Sequence, residues 1–426
     1  MIRLSALALA ALLPVAASSA TIEVLFVGNS YTFGRADPVM SYNTANVTDL
    51  TDPARGGSFA DTTGSNAFEP HPWGGVPGIF KQLTDQAGLS YNVSISTRNA
   101  ASLRGHMLNS NPANWDMRGN IALQTWDKVV LQEQSDEPFV RHTNDAGNSL
   151  ASNPEYFRYF ADVIEDFVHS TDPTGTIRYR DAFEGATADD RQAACVAAGI
   201  SAGTCRIDRG SYANANGDAA TEMYLYQTWA RPNLVHGAYA TTTDETTGDV
   251  TRSGDLSTNT YYDNLEQMTA ELMASYQAAA DQADDDGSPG FAGIAEVGEA
   301  FMRAVQTGAA TRDFWADDAL TDGLIDLWFD DGTHASKYGS YLSSLVMFGT
   351  LTGLDPAQFG ADEIAASDLG ISARHALILQ RIASDQLGFV APAPVPLPAS
   401  APLALAGLGL LALIGRRRRG AASPVS

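Results

Sequence analysis

The chain has 426 residues, 44% hydrophobic and 18% charged, a composition that suits a globular body with one large core. Its formal net charge of −24 repels nucleic acid and anionic polymers at long range, which excludes DNA and RNA as partners. With only Cys195 and Cys205, the chain lacks the ligand clusters of a thiolate metal centre.

Taken in order, Met1-Ile2-Arg3, an apolar run over 4–15 and small residues at 16–20 outline a secretory signal peptide, residues 1–20. Residues 21–27 are β-branched and apolar and stop at Gly28-Asn29-Ser30, which predicts a buried strand followed by a turn. Residues 33–75 are rich in Asp, Thr, Asn, Gly and Pro without periodicity, as in a long surface excursion. Helical spacing over 76–87, a strand over 91–97, a turn at 99–102 and a strand over 128–131 follow. The aromatic spacing of 154–169 predicts a helix whose rings belong to the core, and 176–180 reads as a short strand. Residues 181–218 form an insertion, where export and an even cysteine count predict a Cys195–Cys205 disulfide. Strands over 222–229 and 294–297 alternate with helices over 261–282, 299–305, 338–351 and 361–387. This alternation predicts an α/β fold: a three-layer α/β/α sandwich on a mainly parallel, flavodoxin-like sheet, with surface insertions, in one domain over 21–388.

Beyond that body come a Pro-rich linker, 389–398, and a segment, 399–426, whose apolar stretch ends in Arg416–Arg419. The stretch is near the lower limit for a bilayer span, and the arginines would keep their end cytoplasmic with the body outside. Val395-Pro396-Leu397-Pro398-Ala399, the span and the arginine cluster together resemble an exosortase-type sorting tail in its VPLPA form. The resemblance implies a sorting protease as a partner. A plain membrane anchor is the alternative.

In a doubly wound sheet, ligands bind beyond the carboxyl ends of the strands, which is where Ser30 falls. A serine hydroxyl becomes a nucleophile when a histidine, itself oriented by a carboxylate, takes its proton. Asp331-Gly332-Thr333-His334 supplies that pair, with Gly332 giving the turn backbone freedom. Phe26-Val27-Gly28-Asn29-Ser30-Tyr31-Thr32 resembles the first block of the SGNH (GDSL-like) hydrolases, and Asp331–His334 the Asp-x-x-His of their last block. Residues 126–135, ending in Leu131-Gln132-Glu133-Gln134-Ser135, resemble the third block of a subgroup. Gln227-Thr228-Trp229-Ala230 and Val297-Gly298-Glu299-Ala300-Phe301 resemble that subgroup as well.

The resemblance implies catalysis by Ser30, His334 and Asp331 without a metal or other cofactor. It also implies an oxyanion hole built from the Ser30 amide, a second-block amide and a third-block side-chain amide. The second block here is Asn99-Ala100-Ala101-Ser102-Leu103, without the family's glycine, so the backbone donor is Ala100 or Ala101; Gln132 or Gln134 stands for the family's asparagine.

His106 reads as an exposed loop histidine, and Asp284–Asp286 and Asp317–Asp318 as solvated turns rather than metal sites. The function expected is an exported serine esterase removing acyl, foremost acetyl, groups from carbohydrate, because sorting tails of this type accompany polysaccharide export. A lipid or thioester hydrolase and a non-catalytic surface binding protein are the alternatives. An epitope placed after Arg419 should be lost from the exported protein if the tail is processed, and retained in the membrane fraction if it is an anchor.

Overall fold

The computed structural model describes residues 20–52, 54, 71–109, 115–243, 250–257, 259–316 and 321–389. The expected signal peptide, linker and hydrophobic tail lie outside these residues except at their inner ends. Among the described residues, no helix is long and apolar enough to cross a membrane.

Among the described residues, eight strands occur in chain order: β1 (Ile22–Gly28), β2 (Val47–Asp49), β3 (Tyr91–Thr97), β4 (Lys128–Leu131), β5 (Glu222–Tyr226), β6 (Ala240–Thr243), β7 (Val250–Ser253) and β8 (Gly293–Ala295). Six form one sheet in the order β2-β3-β1-β4-β5-β8, with every pair parallel, while β6 and β7 form a separate antiparallel hairpin. The fold is thus α/β with a parallel sheet, as expected. Val24, Leu25, Phe26 and Val27 are all fully buried, the continuous apolar run of a strand covered on both faces.

Winding reverses at β1. From β1 the chain moves out to the edge strand β2, returns to β3, then crosses past β1 to β4, β5 and β8. A ligand crevice opens where neighbouring connections leave in opposite directions, so the C-terminal end of β1 is the favoured place for chemistry.

Lys337–Thr352 packs against Gly75–Gln86, Val297–Gln306 and Ala373–Gln386, while Pro154–His169 packs against Leu103–Leu108 and Leu265–Asp284; Val297–Gln306 also contacts Leu265–Asp284. Tyr156, Phe157, Phe160, Ile164 and Phe167 are buried, so the aromatic helix belongs to the core.

Three expectations change. The 33–75 excursion contains β2, which extends the sheet by pairing Val47 with Val93 and Asp49 with Ile95. Buried Asp49 accepts from the Thr51 and Trp73 amides and pairs with His71 Nδ1, an anchor set by distant packing rather than by strand periodicity. Residues 176–180 form no sheet strand, because β5 fills the slot beside β4; the chain makes a short 3₁₀ turn, Tyr179–Ala182. The last expected helix is interrupted: Gly370 takes a positive φ of 66°, and Ser372 then caps a new helix by accepting from the His375 amide.

The Cys195–Cys205 disulfide is present and joins helix Ala188–Ala197 to the turn Ala202–Cys205. Mass spectrometry of unreduced protein should recover the two cysteines as one linked peptide. Replacing both with alanine should cost about 2–3 kcal/mol in denaturant titration, the chain-entropy value for so short a loop.

Candidate active site

Gly28 closes β1 as a glycine because its neighbours leave no room for a side chain. A Cβ there would stand 2.3 Å from Thr32 Oγ1 and 2.6 Å from Gln132 Oε1. Asn29 then caps a single helical turn, Ser30–Phe33, its side-chain oxygen accepting from the Tyr31 amide at 3.0 Å. The chain change at Asn29 brings Ser30 out at the strand's end, where the residue is only 5% exposed.

From 304 residues away, His334 meets it: Ser30 Oγ lies 2.8 Å from His334 Nε2. His334 Nδ1 lies 2.6 Å from Asp331 Oδ2, so the carboxylate fixes the ring proton on Nδ1 and leaves Nε2 to accept from the serine. Asp331 Oδ1 accepts from the Thr333 and His334 amides at 2.8 and 2.9 Å. Burial alone would raise the Asp331 pKa, but the attraction and hydrogen bond of His334 and these two amides hold it below the usual carboxyl range. The turn needs Gly332, whose φ is +65° and whose absent Cβ would fall 2.7 Å from the Trp315 ring. Ser30, His334 and Asp331 thus form one hydrogen-bonded chain.

Segments 227–230 and 297–301 brace this chain. Trp229 stacks between Tyr31, at 4.4 Å, and Phe301, at 4.8 Å, with both ring pairs nearly parallel. The Tyr31 hydroxyl and the Trp229 indole each donate to the Thr333 carbonyl at 2.9 Å. Gln227 Oε1 accepts from the Glu299 amide, tying the two segments together. Arg231, almost fully buried, donates to Ser135 Oγ at 2.8 Å and to Asp136.

The four residues expected around an oxyanion separate into two kinds. Gln132 is fully buried: its Oε1 accepts from the Asn29 amide and Thr32 Oγ1, and its nitrogen donates to the Glu133 carbonyl. The Ala101 amide closes a turn onto the Arg98 carbonyl. Both expectations are corrected: Ala101 gives its amide to the turn, and Gln132 is buried among partners in the loop after β1. Ala100, by contrast, occupies the third position of that turn with φ +54°, a left-handed conformation unusual for alanine. Gln134 Oε1 accepts from Asn29 Nδ2 at 2.9 Å, which turns its own NH2 group away from that contact.

His106, expected on an exposed loop, is 1% exposed and bonds the Gly28 carbonyl. No motif marks it; the helix that carries it inward was itself read as part of a loop. Glu133, also buried, was not singled out: its Oε1 accepts from the Leu103 and Gln134 amides and so joins the second block to the third. Elsewhere, Asp286 of the expected solvated turn meets Asp162 and Asp166, with carboxylate oxygens within 4.8 Å of one another. Burial, helped by these acidic neighbours, lifts Asp162 to about 7. Asp317 and Asp318 lie outside the described residues.

Comparison with known proteins gives three results. Residues 394–419 match the PEP-CTERM protein-sorting motif, so the chain carries a C-terminal signal of the kind found on exported, surface-sorted proteins. No curated protein matches the chain in sequence. Among solved structures it is similar to a DUF4886 family protein from Bacteroides uniformis, with 13% identity and a TM-score of 0.41 over 87% of this chain and 96% of that one. It is also similar to a Slackia heliotrinireducens protein described as a candidate SGNH hydrolase, with 17% identity and a TM-score of 0.32 over 78% of this chain and 100% of that one. A variant of a Geobacillus acetyl-xylooligosaccharide esterase matches with 10% identity and a TM-score of 0.29, over 78% and 92%.

Burial, reinforced by Glu137, raises the Glu133 pKa, so the folded state holds this proton where the unfolded chain has released it. Stability therefore falls as pH rises from about 5, above the free carboxyl value, toward the raised folded value. Glu133→Gln keeps the oxygen that accepts from Leu103 and Gln134. Thermal unfolding across this window should show a flatter pH dependence for Glu133→Gln than for the natural protein.

Proposed function

We propose that this chain is an exported serine esterase that removes acyl groups, foremost acetyl, from a neutral carbohydrate. The observation that carries the reading is the 2.8 Å contact between Ser30 Oγ and His334 Nε2, with Asp331 on the opposite ring nitrogen. In this reading Ser30 attacks the acyl carbon while His334 takes its proton, and Asp331 stabilises the imidazolium that forms. Collapse of the tetrahedral intermediate expels the sugar hydroxyl, to which His334 returns the proton. Water, deprotonated by His334, then releases the carboxylic acid and restores Ser30.

Negative charge on the tetrahedral oxygen requires donors already in place. The Ser30 amide opens the first helical turn, where backbone donors lack partners within the helix. The Ala100 amide and Gln134 Nε2 complete the set, since Ala101 and Gln132 are spent elsewhere. The left-handed backbone of Ala100 stands in for the glycine common at this place, at roughly 1–2 kcal/mol of strain. A net charge of −24 disfavours anionic polymers as substrates and supports a neutral glycan.

A fluorophosphonate probe should label the protein and fail to label Ser30→Ala; a folded natural protein that takes no label would overturn the reading. Against a chromogenic acetyl ester, Ser30→Ala and His334→Ala should each abolish nearly all turnover. The double variant should be hardly worse, because the members act as a unit. Asp331→Asn should lose on the order of 10⁴ in kcat through the wrong imidazole tautomer.

A further inference from the structure

The peptide between Gly28 and Asn29 leads into the residue that precedes Ser30, and it is held at both polar ends. Its N–H donates to Gln132 Oε1 at 2.9 Å. Its carbonyl accepts from the Arg98 amide at 3.1 Å and from His106 Nε2 at 2.9 Å. A peptide is planar, so fixing the directions of its oxygen and its hydrogen fixes the two torsions that aim the following residue.

We propose that His106 is a positioning residue for the nucleophile, holding the Gly28–Asn29 peptide in the plane that brings Ser30 Oγ onto His334. The inference rests on the reading of Ser30 as a nucleophile. The Arg98 amide already gives the Gly28 carbonyl a partner. The imidazole therefore adds direction rather than relieving an orphaned acceptor, and it does so at the cost of burying a polar ring that leucine could replace by packing alone. Gly28 has no side chain of its own with which neighbours could brace it, because Thr32 and Gln132 occupy that space.

The ring's own proton is assigned by its second neighbour. The Trp115 indole donates to His106 Nδ1 at 3.1 Å, which makes Nδ1 the acceptor and puts the hydrogen on Nε2, facing Gly28. Arg98 lies over Trp115 with its guanidinium carbon 4.3 Å from the ring centre. Burial, with the Arg98 charge in support, pushes His106 down to about 4, so the ring stays a neutral donor at ordinary pH.

The test compares His106→Leu with His106→Gln in the full chain, because a glutamine nitrogen reaches close to the place of Nε2. The leucine variant should lose roughly 10- to 100-fold in kcat on a chromogenic acetyl ester, with KM little changed, as for a displaced nucleophile. The glutamine variant should recover most of that loss. Leucine at natural kcat, or both variants losing activity equally, would overturn the proposal. Should the leucine variant not fold, Trp115→Phe serves instead, since it frees the ring to shift its proton to Nδ1; kcat should fall several-fold at an unchanged melting temperature, and an unchanged kcat would count against the clamp. Nitrogen-15 spectra of His106 and hydrogen exchange at the Asn29 amide read the clamp without turnover. A proton on Nε2 and a protected Asn29 amide that opens in His106→Leu but stays protected in His106→Gln are expected, and a proton on Nδ1 overturns the assignment. If the natural protein took no fluorophosphonate label while these spectra held, the esterase reading alone would fail.

Discussion

One carbonyl oxygen, that of Thr333, joins the two ends of the fold. It accepts from Tyr31, next to Ser30 at the exit of β1, and from Trp229, just past β5. Because Thr333 directly precedes His334, fixing its carbonyl fixes the peptide plane that carries the His334 side chain. The aromatic stack of Tyr31, Trp229 and Phe301 supplies the rigid wall behind it. Remove that anchoring and the Asp331–His334 turn would remain a turn, held to its surroundings by the Asn233–Gly332 contact but without its tie to the segment beside Ser30.

The same economy recurs on the opposite side of the nucleophile. Gln132 resembles a residue that would contact substrate, yet the structure uses it to hold Asn29 and Thr32. Asn29 in turn ties the Ala101 carbonyl and Gln134 into the same network. Three segments far apart in sequence, around residues 29, 100 and 132, thereby share one set of hydrogen bonds. Buried polar networks of this kind are stiff when every member is partnered, and stiffness is what a preorganised oxyanion site requires.

How much of this the sequence reveals depends on whether the signal is local. Ser30 is legible because an apolar strand ends abruptly at a turn; Asp331 and His334 are legible because they stand three positions apart in one turn. The parallel sheet follows from the alternation of strand and helix patterns. By contrast, β2 is three residues long and has no periodicity to read, and its register comes from β3. His106 and Glu133 look ordinary in sequence and gain their roles from what they face across the core. The choice between Gln132 and Gln134 is of the same kind, since strand periodicity would put residues two apart on one face and, past the end of β4 at Leu131, only packing separates them. Ala100 illustrates a further limit: its residue type argues against a left-handed backbone, and tertiary contacts override that preference.

The separation of 304 residues between Ser30 and His334 also gives the molecule a timetable. A chain delivered across a membrane from its N-terminus presents the serine first and the histidine almost last. The strand that carries Ser30 lies at the middle of the sheet, so its neighbours on one side, β4, β5 and β8, must arrive before its surroundings are complete. Long-range pairings of this sort close late in folding. Until they do, the serine is an ordinary alcohol. The contact of Ser30 with His334 is therefore a property of the finished body, and a partly threaded chain does not have it.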